Sequence, residues 1–205
     1  HQDPTAFDRA VTLAWTQAQV QLHHLGVGPD EAHLFQGLAN HVLFSDPALR
    51  PSSAVLAHNE LGASTLWAHG ISGDLPIVLL RLDEADDLPL LRQLLCAHEY
   101  WRMKGLAVDL VILNERPPSY AQELHASVEA MVRASQSRLQ REAQDVRGTV
   151  FVLRSDLVSL EVRTVLQSVA RAVLRGRRGS LSEQLKQRRP EAAVPAARRP
   201  APSVA

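Results

Sequence analysis

The stretch HGISGD, residues 69–74, places a His, a Ser and an Asp around two glycines, directly before an aliphatic run. These side-chain types can form a nucleophilic site. The spacing does not fit a nucleophile elbow, because a Gly follows Ser72 at once and the loop precedes its strand instead of following it. A dinucleotide-binding glycine motif also follows a strand. We therefore predict a structural loop, in which Gly70 and Gly73 permit an unusual backbone path and Ser72 or Asp74 accepts hydrogen bonds from turn amides.

Acidic and amide side chains follow the three aliphatic runs of the chain. They come after residues 76–82, 107–113 and 149–153 and are Asp83, Glu84, Asn114, Glu115 and Asp156. If the runs are parallel strands, their carboxyl ends meet at the edge of the sheet where ligands bind in such folds. This edge could hold a metal ion or bind the hydroxyl groups of a sugar. The alternative, which we favour, is that these side chains cap the following helices, as we predict for Asp87, Ser119 and Asp156.

Three other stretches contain reactive residue types without the matching pattern. In HEYWRMKG, residues 98–105, a zinc-binding His-Glu-x-x-His motif would need a second His where Arg102 stands. The single cysteine, Cys96, lies within the apolar pattern of its helix, and we interpret it as a core residue. RGRRGS, residues 175–180, could contact phosphate, but we favour a basic helix end that leads into a linker. We predict no metal and no cofactor.

Composition limits the classes of protein to which the chain can belong. It has 205 residues, of which 45% are hydrophobic, enough for one domain with a substantial core. Lys plus Arg and Asp plus Glu are equal at 22 each, so the net charge indicates no nucleic-acid partner. No apolar run approaches the ~20 residues that span a bilayer, and we predict no membrane span in this chain. The chain begins with His, and we interpret it as a piece of a longer protein.

Hydrophobic spacing predicts an α/β fold after a helical arm. Apolar residues at three- and four-residue spacing predict helices at 5–24, 30–44 and 52–60. The near-continuous Val, Ile and Leu runs predict a small three-stranded parallel sheet. Further helical patterns flank these strands at 88–104, 119–141 and 160–175.

These elements predict three parts of the chain. Residues 1–62 form the helical arm, and residues 63–175 form the α/β domain. Residues 176–205 are dense in Arg, Ala and Pro without periodic apolar positions, which is typical of a disordered linker or tail.

Several long segments together resemble one family. LWAHGISGDLPIVLLRL, LLRQLLCAHEYWRMKGLAVDLVILNERPPSY, GTVFVLRSDLVSLE and RGRRGSLSEQL resemble, in this order, the carboxyl-terminal half of cyclic β-1,2-glucan synthases. The segment DPALRPSSAVLAHNELG is similar to the region that precedes them in that family. The resemblance extends from about residue 5 to residue 185.

The resemblance implies a large bacterial inner-membrane protein with several parts. These are a glucosyltransferase that uses UDP-glucose, a cyclising domain, and a region similar to family-94 glycoside phosphorylases. This chain resembles an α/β segment of that last region, so its implied partners are the neighbouring domains of the parent protein and β-1,2-glucan. The resemblance implies the cytoplasmic face of the inner membrane for the parent and a soluble segment for this chain. No catalytic residue of the family maps onto the chain, which we expect to be inactive alone.

Two alternatives remain beside this interpretation. One is a self-standing carbohydrate-binding or interaction module, and the other is a small hydrolase or transferase that uses Ser72. The residues that could contact a carbohydrate are Trp67, His69, Ser72, Asp74, Asp83, Asn114 and Glu115.

Overall fold

The computed structural model describes residues 4–44, 47–139 and 148–187, which contain a four-stranded parallel sheet. The strands are β1 Ile77–Leu82, β2 Asp109–Asn114, β3 Val150–Arg154 and β4 Ala172–Arg175. Their spatial order is β3-β2-β1-β4, and all three pairings are parallel. The predicted α/β class and parallel sheet are confirmed, but the predicted number of strands, three, is wrong.

Seven α-helices surround this sheet within the described residues. They are α1 Pro4–Leu25, α2 Pro29–Phe44, α3 Ser53–Ala57, α4 Leu88–Met103, α5 Pro118–Leu139, α6 Leu160–Val169 and α7 Leu181–Lys186. Helix α3 is shorter than the predicted helix at 52–60. A 3₁₀ helix, Ala63–His69, leads into the loop before β1.

The fourth strand lies where the sequence predicts the end of a helix at 160–175. Helix α6 ends at Val169, and the backbone N–H of Arg171 then donates to the carbonyl of Ile77, which starts the pairing of β4 with β1. No Gly or Pro separates α6 from β4, and apolar positions continue at helical spacing through the junction. The sequence therefore resembles one uninterrupted helix. The central strand β1 is buried on both faces, and β4 supplies backbone partners along its second edge.

The core has two layers, one on each face of the sheet. On one face, Leu80 of β1 and its neighbours pack with α2, α4, α5 and α7. On the other face, Leu79 and its neighbours pack with α6 and the 3₁₀ segment. Trp101 of α4 is 2% exposed, and its indole N–H donates to the carbonyl of Phe35 in α2 at 3.0 Å. Apolar burial on both faces explains the near-continuous aliphatic runs of the strands.

The predicted helical arm is present. In α1, Phe7 and Val11 are 73% and 52% exposed, whereas Leu22 and Leu25 pack against the core. Helix α2 differs from α1, because its Phe35 and Leu38 are completely buried in the layer that also contains α4. Within the described residues, no helix is both long enough and apolar enough to cross a membrane.

Part of the stretch predicted as a linker is described by the structure. A 3₁₀ turn, Gly176–Arg178, is followed by α7, which begins with a capping box of Ser180 and Glu183. Leu181 of α7 is completely buried in the core. Residues 188–205, the remainder of the predicted linker, lie outside the described residues.

Candidate functional site

The carboxyl ends of the strands form the first candidate site. The chain runs from β1 through β2 to β3 on one side and then places β4 on the other side of β1. Ligands of open α/β sheets bind where the strand order reverses in this way, which here is between β1 and β4. Asp83 and Glu84 follow β1, Asn114 ends β2, Glu115 follows it, and Asp156 follows β3. The sheet therefore brings the predicted residues to one edge.

Glu115 is held by an arginine of the neighbouring strand. Arg81 of β1 donates through Nε and Nη2 to the two carboxylate oxygens of Glu115, both at 2.8 Å. Its Nη1 donates to the side-chain oxygen of Gln167 in α6 at 3.0 Å. The pair is partly buried, with 18% and 16% of the side chains exposed. Both oxygens of Glu115 are thus used by a bidentate ion pair.

The other edge carboxylates also have cationic partners. Arg177 lies 3.2 Å from Asp83 and 3.9 Å from Glu84. Arg154 donates to both oxygens of Asp156, at 3.0 and 2.6 Å, and this hydrogen bonding lowers the pKa of Asp156. The described ranges contain no group of three or more His, Cys, Asp or Glu side chains that could hold a metal ion. The carboxylates of this edge therefore act as partners of arginines.

Asp87 fills the gap between the loops after β1 and β4. Its carboxylate accepts from the backbone N–H groups of Asp83 and Glu84 at 2.8 and 3.0 Å. A Cβ on Gly176 would lie 1.9 Å from Cγ of Asp87, so only glycine fits there. The predicted capping roles of Asp87 and Asp156 are wrong: the carboxylate of Asp87 accepts from residues that precede α4, and Ser159 accepts the hydrogen bond at the start of α6. The side chain of Ser119, the third predicted cap, lies outside the described residues. The place where a ligand would enter is thus occupied by a side chain of the protein.

The second candidate site is the loop before β1. Gly70 and Gly73 have φ angles of 75° and 79°, so the predicted unusual backbone path is present at both. The hydroxyl of Ser72 accepts from the backbone N–H of Asp74 at 3.3 Å, as in a structural turn. Trp67 is 66% exposed, and its indole N–H donates to the carbonyl of Ser72 at 3.1 Å.

The two candidate sites lie at opposite ends of the sheet. Trp67, His69, Ser72 and Asp74 precede β1, whereas Asp83, Asn114 and Glu115 lie at or beyond the ends of β1 and β2. The six residues of β1 separate them by roughly 20 Å along the strand. The structure therefore does not bring all the predicted carbohydrate contacts into one site.

Glycine replacement in this loop should damage folding more than removal of the serine hydroxyl. Gly70→Val or Gly73→Val places a branched side chain at positive φ and should lower the free energy of unfolding by roughly 1–3 kcal/mol. Ser72→Ala removes one exposed turn hydrogen bond and should cost about 1 kcal/mol or less. Thermal melts of the three variants test this order. A Ser72→Ala variant that melts like the wild type but loses activity in the parent enzyme would contradict the structural interpretation.

Sequence reasoning missed the arginines of the carboxyl edge. Arg81 interrupts the apolar run IVLLRL, and a charged side chain inside a buried strand needs a partner. This signal predicts an ion pair but does not identify Glu115, because the partner depends on the parallel register that places Arg81 beside Leu113. Because β4 was not predicted, the position of Arg175 at the end of a strand was not predicted either.

The chain forms a small parallel α/β domain. The carboxylates at the carboxyl ends of its strands are bound by arginines and backbone amides of the same domain. No protein-family model matches the chain. It is similar to the cyclic beta-(1,2)-glucan synthase NdvB of Rhizobium meliloti (strain 1021), with 36% identity over 185 residues. The match covers 90% of this chain and 6% of that protein. The predicted resemblance to a segment of such a synthase is thus confirmed.

Proposed function

We propose that the chain is a structural segment of a cyclic β-1,2-glucan synthase and is not catalytic by itself. The similarity to NdvB over 185 residues carries this proposal, because it extends over nearly the whole chain and not over one motif. The parent enzyme would polymerise glucose from UDP-glucose at the inner membrane, and this segment would lie in its phosphorylase-like region. Its partners would be the neighbouring domains of that enzyme.

The ion pairs of the carboxyl edge support a structural role. A general acid or base needs a carboxyl group that can reach the substrate and exchange a proton with it. Here the carboxylate of Glu115 is bound in two places by Arg81, and that of Asp87 by two backbone amides. These contacts hold neighbouring loops together.

Enzyme assays test the absence of catalysis directly. The purified 205-residue chain should consume no UDP-glucose, and it should release no glucose 1-phosphate from β-1,2-glucan and phosphate. The intact parent enzyme, assayed in parallel with UDP-glucose, is the positive control. Turnover by the purified chain would overturn the proposal.

A double-mutant cycle tests the role of the Arg81–Glu115 pair. Glu115→Gln and Arg81→Gln should each lower the free energy of unfolding by about 2 kcal/mol, because each leaves a partly buried charge without its partner. The double variant should be no less stable than either single variant. Chemical denaturation measures all four proteins. Additive losses would show that the two side chains are not coupled and would contradict this role. A Glu115→Gln variant of normal stability that fails to bind glucan would indicate a ligand contact instead.

The exposed indole of Trp67 favours a second candidate function, carbohydrate binding. A shallow pocket of about 290 Å³ is lined by Trp67, Gly70, Ile71, Ser72 and Asp74. The indole offers an apolar surface for a sugar ring, and the carboxylate of Asp74 can accept hydrogen bonds from hydroxyl groups. The position of the indole is fixed by its hydrogen bond to the carbonyl of Ser72.

Two tryptophans of equal exposure permit a matched test. Trp67 and Trp15 are both 66% exposed, but Trp15 lies on α1. In calorimetric titrations with β-1,2-glucan, Trp67→Ala should abolish binding, whereas Trp15→Ala should bind like the wild type. The carbohydrate-binding candidate would be wrong if the wild type does not bind or if both variants bind equally.

A further inference from the structure

A cavity of about 330 Å³ lies beside β4 and is lined by three arginines. Arg50 follows the turn Pro47–Leu49, Arg175 ends β4, and Arg178 lies in the following turn. The other lining residues are apolar or uncharged, among them Leu49, Val55, Val173 and Gln187. As far as the described residues line it, the wall of the cavity therefore carries three positive charges and no negative charge.

Among the described residues, the arginines of this cavity form no ion pair with a carboxylate, although Glu115 and Asp83 act on Arg175 from a longer distance. Arg175 lies beside Arg81 in the parallel register, but both oxygens of Glu115 are bound by Arg81. Across the described part of the chain, no carboxylate lies within ion-pair distance of Arg50, Arg175 or Arg178. Burial and the charges of Arg81 and Arg178 lower the pKa of Arg175, more than Glu115 and Asp83 raise it.

The guanidinium group of Arg50 is held in place and incompletely satisfied. Its Nη2 donates to the carbonyl of Ser168 at 2.8 Å, which fixes the plane of the group. Its Nε is buried and has no hydrogen-bond partner in the part of the chain that the structure describes. Burying a charged donor without a partner is unfavourable. A bound anion would offset part of that cost, because it would be attracted to the positive charge of the guanidinium group.

We propose that this cavity binds the phosphate group of a small phosphate monoester. Guanidinium groups match the oxygens of phosphate through charge-assisted hydrogen bonds, and three cations suit a dianion better than a single negative charge. The cavity is larger than one phosphate ion, and Leu49, Val55 and Val173 form an apolar wall for the organic part of the ester. This function is separate from the role of the segment in the parent synthase.

The position of Arg175 in the structure also changes the interpretation of RGRRGS. The sequence favours a basic helix end that leads into a linker, with phosphate contact as the alternative. In the structure, Arg175 ends a buried strand, and the turn after it is followed by α7. The arginines are thus placed by the sheet, which supports the phosphate alternative.

Calorimetric titration of the 205-residue chain at constant ionic strength tests the proposal. Inorganic phosphate and phenyl phosphate are the probes, and chloride is the ionic control. We expect saturable binding of both phosphates in the millimolar range or tighter, with phenyl phosphate the tighter ligand. Arg175→Gln and Arg178→Gln should each weaken binding about tenfold. The matched control is Arg177→Gln, which lies in the same turn but pairs with Asp83, and it should bind like the wild type.

Three results would overturn the proposal. They are no saturable binding of either phosphate, equal weakening in Arg177→Gln and Arg178→Gln, and binding of inorganic phosphate without binding of the ester. Arg178 is exposed, so its replacement should leave folding intact. If Arg175→Gln does not fold, the comparison of Arg178→Gln with Arg177→Gln decides the outcome alone.

Discussion

Lowering the pH from 7 to 5 should reduce the free energy of unfolding by about 2 kcal/mol through His98 alone. His98 in α4 is 2% exposed, and burial lowers its pKa from 6.5 to about 4. The imidazole is therefore neutral at pH 7, and its Nε2–H donates to the carbonyl of Val108 at 2.9 Å. Protonation would place a charge in the core, where it is poorly solvated.

The sign follows from the two pKa values. Between pH 6.5 and about 4, the unfolded chain binds a proton at His98 more readily than the folded chain does. The contribution of His98 to stability is thus complete above pH 6.5 and is lost progressively as the pH falls to about 4. Chemical denaturation at a series of pH values measures it.

His98→Gln is the control for this titration. Glutamine retains an N–H donor for the carbonyl of Val108 but does not titrate. The burial of Asp109 raises the pKa of its carboxyl and gives an opposite acid dependence, but this contribution is present in both proteins. The difference between the wild type and His98→Gln therefore isolates the histidine. Parallel stability profiles from pH 7 to 4 would show that His98 does not titrate as expected.

Gly148→Ala should lower the free energy of unfolding by about 3 kcal/mol or more. Gly148 has a φ angle of 122°, and a Cβ there would lie 2.6 Å from the carbonyl oxygen of Val108. This is the same oxygen that accepts from His98, whose Nε2 would lie 3.4 Å from the new Cβ. The backbone at Val108 cannot shift without disturbing β2, so the overlap has no easy relief.

Gly105→Ala separates backbone strain from overlap. Gly105 has a φ angle of 77°, but a Cβ there would meet no atom within 4 Å. Its replacement should cost about 1 kcal/mol, from the left-handed conformation alone. Thermal and chemical unfolding of the two variants measure the difference. Equal losses would show that the contact with Val108 contributes nothing.

The sequence was sufficient to predict the elements whose signals are local. Runs such as Pro76–Leu82 bury both faces of a strand, and this composition predicts β1, β2 and β3 without knowledge of their neighbours. Likewise, Gly70 and Gly73 indicate their own backbone geometry. Helix α1 follows from its apolar spacing, although its apolar residues Phe7 and Val11 are exposed.

The features that the sequence did not predict depend on pairings between residues that are distant along the chain. Strand β4 has only four residues, and its apolar spacing is compatible with a continued helix. The ion pair of Arg81 with Glu115 and the arginine cavity depend on the register of the sheet, which spacing in one segment does not contain. Similarly, the motif HEYWRMKG suggests a metal ligand by residue type, whereas His98 is a buried donor to Val108.

The pairing of β4 with β1 has a consequence for synthesis of the protein on the ribosome. Val78 in the middle of the sheet pairs with Ala172 across roughly 90 residues of chain. During translation, β1 and β2 can emerge long before β4, so the second edge of β1 has no backbone partner during that interval. Exposed strand edges promote association between chains. A nascent chain that stalls before residue 172 therefore exposes an unpaired edge of β1 to other chains, whereas β4 covers this edge in the completed domain.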